Sequence, residues 1–362
     1  MNSKRVVVAT VLALASSGLS AEGVEIGLGY KGDFVGVLSG GARQTGGFLG
    51  NLDLNLDLDF DKLAGLGGFS AHFYVVGNHG FKPSEAVGDG LGSSNIEAPS
   101  TLKLYEAYLK QSLSERLSLL AGFRDLNADF YALESAGIFI NGSFGIGPSL
   151  SQTGSNGPSI FPNTALALSS LYEKEDQYFR AGVFNAQAGD VDSPYGTQLV
   201  ASFDEGLLLI GEFGLKSGAE TMPRLLAAGV WTYSKKAPSL LAESSARALS
   251  WGAYLLGEQG FSARWTAFAK LGYAASDANA IRASTEWGLN LRQPFAARAD
   301  DVVGLATAWT FARQGESEGV IELLYRISIA NNFFLVPDLQ YALIPGEIDP
   351  AFVGLLRVEI SL

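Results

Sequence analysis

The sequence predicts an all-β fold, a transmembrane antiparallel β-barrel of about sixteen strands, and three observations predict it. The first is the stretch 51–61, which reads NLDLNLDLDFD. Leu52, Leu54, Leu56, Leu58 and Phe60 share one parity, and Asn51, Asp53, Asn55, Asp57, Asp59 and Asp61 share the other. Successive side chains of a strand point to opposite faces, so this stretch has one apolar and one acidic face. A helix would smear both sets around its axis. Its length is about the ten residues that a tilted strand needs to cross a bilayer. A half-exposed strand of a soluble sheet alternates in the same way, so further observations are needed. The second is composition: 44 Gly, 22 Phe and 13 Tyr with only 17% charged residues suit many turns and aromatic girdles. The third is an export leader on a chain with no later run of 18 apolar residues. An exported chain without a membrane helix can still enter a membrane as a closed barrel, because closure pairs every backbone polar group.

The leader is 1–21. Lys4 and Arg5 form its positive end, 6–15 is a mostly apolar stretch too short to span, and Gly18, Ser20 and Ala21 suit cleavage. Residues 22–362 then read as one barrel domain with no linker, repeat or second domain. The 362 residues carry a formal charge of −12, which argues against nucleic acid as a partner. The absence of Cys excludes disulfides, thiol catalysis and Cys-based metal sites, and no cofactor is expected.

The candidate strands follow in order: 24–37, 51–61, 69–78, 101–111, 115–123, 163–172 and 178–186. After an ambiguous stretch come 225–233, 249–256, 261–273, 284–291, 302–312, 320–330, 333–343 and 351–362. Residues 196–203 stand alone as a strand or join 207–215. A bacterial barrel has both termini on one side and hence an even strand count. Merging 196–215 into one strand gives sixteen, and puts the short connections at 112–114, 173–177, 257–260 and 331–332 on one side. Aromatics near these turns, Tyr178, Phe179, Phe261, Phe295, Phe333 and Phe334, suit an interfacial girdle.

Two connections are long, 80–100 and 125–162. Loops of this length are usually functional or disordered, and the island Ile138-Phe139-Ile140 argues against disorder. An apolar island is costly to leave in water, and the barrel interior is the shelter left to it. The loop 125–162 is therefore expected to fold into the pore.

Several stretches, in order along most of the chain, resemble the carbohydrate-selective porins of the OprB family. They are GFLGNLDL at 47–54, LKLYEAY at 102–108, AGFRDLNADFY at 121–131, ESAGIFIN at 134–141, SFGIGP at 143–148, PSIFP at 158–162 and VPDLQY at 336–341. The resemblance implies a sixteen-stranded barrel in the outer membrane of a Gram-negative-type bacterium. It implies facilitated diffusion of mono- and small oligosaccharides through a water-filled lumen. Its implied surroundings are outer-membrane lipid and lipopolysaccharide, with the chain a monomer or a homotrimer.

A channel for neutral sugars needs side chains that exchange hydrogen bonds with hydroxyls, aromatic faces for the ring, and binding weak enough to release. Asp53, Asp57 and Asp59 lie on the acidic face of 51–61, while Glu106, Arg124, Asp125, Asp129, Tyr131 and Glu134 lie in or beside the family-like segments. Charged groups make stronger hydrogen bonds, and Arg offers a planar fork to paired hydroxyls. These nine residues are the candidate pore lining. The bland alternative is that the acids only keep the lumen wet and the Arg pairs with them. Parity leaves 102–108 open: neither face is uniform, which points to a bulge or an inward apolar patch, and the direction of Glu106 is unsettled.

Two other functions compete. One is a general or ion-preferring porin with no sugar selectivity. The other is an outer-membrane hydrolase, but the two His residues, His72 and His79, stand in no G-x-S-x-G or H-E-x-x-H motif. The chain is not expected to be an enzyme.

Overall fold

The computed structural model describes residues 21–189, 197, 203–240, 247–344, 346 and 348–362. Nearly all of the leader therefore lies outside the described residues. Sixteen strands run in chain order: β1 (Val24–Ser39), β2 (Gly46–Asp59), β3 (Phe69–Gly80), β4 (Thr101–Ser112), β5 (Leu117–Arg124), β6 (Ala165–Lys174), β7 (Gln177–Asn185) and β8 (Leu207–Ala219). They continue with β9 (Met222–Pro238), β10 (Arg247–Gly260), β11 (Trp265–Ala274), β12 (Ile281–Arg292), β13 (Val302–Ala312), β14 (Gly319–Ala330), β15 (Phe333–Leu343) and β16 (Ala351–Ser361). Each pairs with its sequence neighbours, and β16 returns to β1, so the sheet closes with no free edge. No helix among the described residues is long and apolar enough to cross a membrane. Among the described residues three short α-helices occur, α1 (Phe60–Ala64), α2 (Pro83–Val87) and α3 (Pro148–Ser151), with 3-10 turns at Leu126–Ala128 and Gly142–Phe144.

Alternation governs the wall. Leu209, Phe213 and Leu215 of β8 are exposed, whereas Ile210 and Glu212 between them are buried. In a closed sheet this makes one parity the outer, apolar face and the other the inner face. On β2, Leu52 and Leu54 are exposed while Asn51 is buried. Seven connections, the start of β1 and the end of β16 sit at one end of the barrel, and Leu28 and Leu362 exchange backbone hydrogen bonds there. The connections at the other end include the two long ones, 81–100 and 125–164.

Four local expectations are corrected. The acidic strand stops at Asp59, whose side chain caps α1, so Phe60 and Asp61 leave the strand. Within the proposed merged strand, Asp204 and Glu205 form a turn closed by left-handed Gly206 (φ 86°), and β8 starts at Leu207. Acid-acid-Gly is turn chemistry, which stops the strand; residues 196 and 198–202 of that stretch lie outside the described residues. Residues 257–260, expected as a connection, complete β10, and the turn falls at 261–264. Of the expected girdle, Tyr178 points inward to Glu212 and Phe334 lies under the Arg326 guanidinium, while Phe179, Phe261 and Phe295 are exposed.

The β3–β4 register slips between Tyr74 and Val75, leaving Tyr105 as the extra residue of a bulge. A bulge reverses parity along a strand. Lys103 and Tyr105 therefore face inward before it, and Glu106 does so after it.

The parity assignment makes a stability prediction. Leu54→Arg should destabilise the barrel by about 2–4 kcal/mol, the cost of a lipid-facing cation near the midplane, and Asn55→Asp should be nearly neutral. Urea unfolding in lipid vesicles measures both, and equal tolerance of the two would contradict the parity.

Candidate functional site

The loop between β5 and β6 lies against the inner face of β8 to β15. Its apolar residues form a core there. Phe130, Phe139, Phe144 and Leu150 are fully or almost fully buried, and Phe139 packs 5.0 Å from Phe144 and 5.7 Å from Phe268 of β11. Ile140 is buried and Ile138 packs against this cluster. Wall residues are trimmed to fit: a Cβ on Gly304 of β13 would meet the Phe139 ring at 2.8 Å.

The loop has little secondary structure, so its backbone polar groups need partners from the wall. Glu212 accepts from the Tyr131 N–H (3.0 Å), and Glu258 from the Ser135 N–H (2.9 Å). Both oxygens of Glu322 accept, from Ile140 (2.6 Å) and Asn141 (2.9 Å). Lys270, 1% exposed, donates to the carbonyls of Tyr131 (3.3 Å), Phe144 (2.7 Å) and Gly145 (2.8 Å). Asn290 donates to the Ser135 carbonyl (2.7 Å). All of these wall groups are on the buried parity of β8, β10, β11, β12 and β14.

The loop 81–100 joins this assembly. Asn95 N–H donates to the Ile140 carbonyl and Gly142 N–H to the Gly92 carbonyl, both at 2.8 Å. Below them Asp33 of β1 and Arg357 of β16, which are register partners, form a buried two-pronged ion pair at 2.7 and 2.8 Å. Arg357 also donates to Asn95 Oδ1, and Ser94 donates to Asp33.

The opposite wall carries a charged network. Arg124 donates through Nε and Nη2 to Asp129 (both 2.9 Å) and through Nη1 to Glu106 (3.3 Å) and the Tyr108 hydroxyl (3.2 Å). Its guanidinium lies 4.8 Å from the centre of the Tyr108 ring, and His72 stacks on that ring at 4.9 Å. His72 Nδ1 is 2.7 Å from Asp57. One Arg thus serves two acids, Glu106 and Asp129, while Asp57 meets His72 and remains half-exposed.

Between this wall and the loops lies a cavity of about 450 Å³, which is called the passage below. Lys31, Asp53 and Tyr74 border it from β1, β2 and β3, and Asn95, Asp125 and Asn127 from the loops. Tyr74 donates its hydroxyl to Asp53, and Asp125 accepts from Tyr105 (2.6 Å).

The nine residues picked from sequence thus fall in different places. Asp53 and Asp125 border the passage, and Asp57, Glu106, Arg124 and Asp129 form the network. Asp59 caps α1 at the turn end. Tyr131 is fully buried, with its ring 4.6 Å from that of Tyr254, and it holds the loop rather than facing the passage. Glu134 lines a different cavity under the loop, near the short-turn end. Sequence reasoning missed Lys31, Tyr74, Asn95 and Asn127, and it missed Lys270, Glu212, Glu258 and Glu322. A single charge inside an apolar run, as in LLLIGEFGL or VIELLY, was the available signal for the last group, since such a charge cannot face lipid cheaply.

A closed sixteen-stranded barrel with an apolar outside, a polar inside and an inward loop defines the class: an outer-membrane, multi-pass β-barrel porin. The chain belongs to the carbohydrate-selective porin, OprB family, which it matches over residues 43–362. It is therefore a channel for carbohydrates, and family and fold indicate a channel rather than an enzyme. Its fold is similar to the high-pH structure of Pseudomonas putida OprB (TM-score 0.82, 18% identity, 94% of each chain covered). The low-pH structure of the same protein aligns with TM-score 0.62 and 16% identity over 100% of this chain and 98% of that one. The outer membrane channel DcaP of Acinetobacter baumannii aligns with TM-score 0.61 and 12% identity over 96% of this chain and 100% of that one. No curated protein sequence matches the chain.

The mouth carries a titrating contact. Gly90 N–H donates to Glu318 (2.9 Å), which ties loop 81–100 to the β13–β14 connection. Burial, with Glu318 and Glu97 nearby, pushes the adjoining Asp89 carboxyl up to about 7. A carboxyl raised in the folded state contributes stability at low pH that is lost as pH rises toward about 7. Exchange of the amides at 88–92 should therefore be slowest near pH 4, after correction for intrinsic rates. In Asp89→Asn that pH dependence should flatten, which hydrogen-exchange mass spectrometry would detect.

Proposed function

We propose that sugars cross through the passage beside β1–β3, and that the loop 125–162 is the constriction that narrows the lumen to it. The observation that carries this reading is the seating of the loop. Wall carboxylates and Lys270 hold its backbone, its apolar core packs on the β8–β15 side, and the cavity lined by Lys31, Asp53 and Tyr74 lies beside β1–β3. Lys31, Asp53, Tyr74, Asn95, Asp125 and Asn127 offer both donors and acceptors to sugar hydroxyls, and binding to such mixed groups is weak enough to release. The Arg124 network stands in the same wall, and Asp57 is its member that meets passing solute. Asp59, Tyr131 and Glu134 have no part in this filter.

The remaining features follow the same reading. Residues 1–21 direct export. Lipid and lipopolysaccharide cover the outer parity. One chain lines one passage, so the pore is complete whether the chain stands as a monomer or in a homotrimer. Family and fold support a channel rather than an enzyme; in this reading His72, beside Asp57 and Tyr108, and His79, beside Tyr30 at 3.1 Å, belong to the interior and rim hydrogen-bond network.

Liposome swelling with neutral sugars of rising size, beside charged solutes of matched size, tests the selectivity. Sugars should enter faster than ions of equal size, and equal rates would favour a general porin. Lys270→Met tests the constriction. Removing one member of a buried charged cluster costs about 3–5 kcal/mol, and here the cost falls on the seated loop. Single-channel conductance should rise and discrimination between small and large sugars should fall in a barrel that still folds. Unchanged conductance and selectivity would mean that the loop does not set the pore.

A further inference from the structure

The outer wall carries a furrow with positive charge at its upper end. Rows of register partners cross β6–β10, and one row has small side chains, Ser170, Ala181 and Gly211. The next row toward the long loops holds Leu209 and Trp251, and the next toward the short turns holds Phe213 and Leu255. All four large residues are exposed. Small side chains between bulky ones leave two apolar hollows of about 810 and 590 Å³, which share Gly211 and Val230.

Two cations stand at the head of this furrow. Leu249 lines the upper hollow and is the register partner of Lys236. Register partners share a face, so Lys236 lies on the outer parity, as does Arg247 two residues before Leu249. The Arg247 guanidinium donates through Nε (3.0 Å) and Nη2 (2.5 Å) to the Lys236 carbonyl, which holds it beside Lys236. Both residues are exposed, and neither has an ion-pair partner among the described residues. Lys235 turns away, to the Asp204 carbonyl (2.6 Å). The stretch 235–247 carries three cations and one acid in a chain of net charge −12.

An unpaired cation at the edge of an apolar belt is stabilised by an anionic headgroup. The long loops mark the outward end of the barrel. At that level of an outer membrane the lipid is lipopolysaccharide, whose lipid A carries phosphates above several acyl chains. We infer that this wall seats one lipid A. A phosphate meets the Arg247 fork and the Lys236 ammonium, and an acyl chain lies in the furrow. Lipid has no water to exclude, so close packing against the small row holds the chain there. A second copy of this wall is the poorer occupant: among the described residues the outer parity of the strands carries no Asp or Glu to meet the two cations. The inference rests on the reading that lipopolysaccharide covers the outer parity, and gives it a fixed place.

Native mass spectrometry of the barrel in detergent, titrated with bisphosphorylated lipid A, counts the bound lipid and gives its dissociation constant. One lipid A should be held. Lys236→Gln and Arg247→Gln should each raise the constant about fivefold, and together about thirtyfold, the value of one and two cations near an anionic headgroup. Lipid A stripped of phosphate should bind the native barrel as weakly as bisphosphorylated lipid A binds the double variant. Gly211→Leu fills the furrow without straining the wall, since a Cβ there meets only the Arg180 carbonyl, at 3.8 Å. It should weaken binding of both lipids and leave the preference for phosphate. Heat-modifiable gel migration verifies that each variant is folded. Equal affinity of the native barrel and the double variant would overturn the seat, as would phosphatidylglycerol binding as tightly as lipid A. Binding unchanged by Gly211→Leu would overturn it too. A complex between protomers that Gly211→Leu dissolves would overturn it in favour of an interface between copies. Flotation with vesicles of phospholipid and lipopolysaccharide separates the two readings. A barrel that enters them but shows no preference among the lipids loses this seat alone, whereas one that stays out of them removes the lipid-covered wall itself.

Discussion

A chain segment inside a barrel must have its backbone polar groups satisfied, and the rest of this interior depends on that constraint. The wall strands spend most of their own N–H and C=O groups on one another, and lend a few only at strand ends and at the bulge, as Arg124 and Tyr105 do to Ser159 and Thr164. The loop must be met by wall side chains. Glu212, Glu258 and Glu322 receive its N–H groups, and Lys270 and Asn290 donate to its carbonyls. These bonds combine a charged group with a backbone dipole in a dry setting, where an unmade bond is expensive. They also fix where the hole can be. The loop's apolar residues fill the side of β8 to β15, and the open space is displaced toward β1–β3.

The same constraint sorts the charged residues of the interior into two kinds. Those beneath the loop are buried and turned toward backbone. Those on β2, β4 and β5 are paired side chain to side chain, as in Arg124 with Asp129 and Glu106. The first kind holds a shape, and the second lines water. The nine residues chosen from sequence mixed these kinds because sequence gives the parity of a residue but not what stands opposite it.

Much of the fold was legible. Strict alternation in 51–61 identified an inner and an outer face, and the turn rule gave an even strand count. What escaped was decided by single positions. Asp59 obeys the alternation of its strand, yet its side chain meets the N–H groups of Asp61 and Lys62 and starts α1. Tyr178 and Phe334 stand near turns as girdle residues do, but their parity turns them inward. The bulge at Tyr105 explains why 102–108 had no uniform face: the strand changes sides in the middle. For the site, Tyr131 and Glu134 came from a family-like stretch whose residues are dispersed once the loop folds. Lys31, Asn95 and Asn127 are brought together only by tertiary structure, and no local pattern marks them.

The Asp33–Arg357 pair has a consequence for how the channel is made. Its two residues are 324 positions apart, and they lie side by side only when the first and last strands meet. The same Arg357 grips Asn95, and Asn95 grips the backbone at Phe139 and Ile140. A wall still lacking β16 has an open edge and lacks this one tie to the loops, and a wall that has gained it has the edge closed and the tie made. Sealing the cylinder and fastening this corner of the loops are thus one event, so the seam of the barrel and the mouth above it are locked by the same guanidinium.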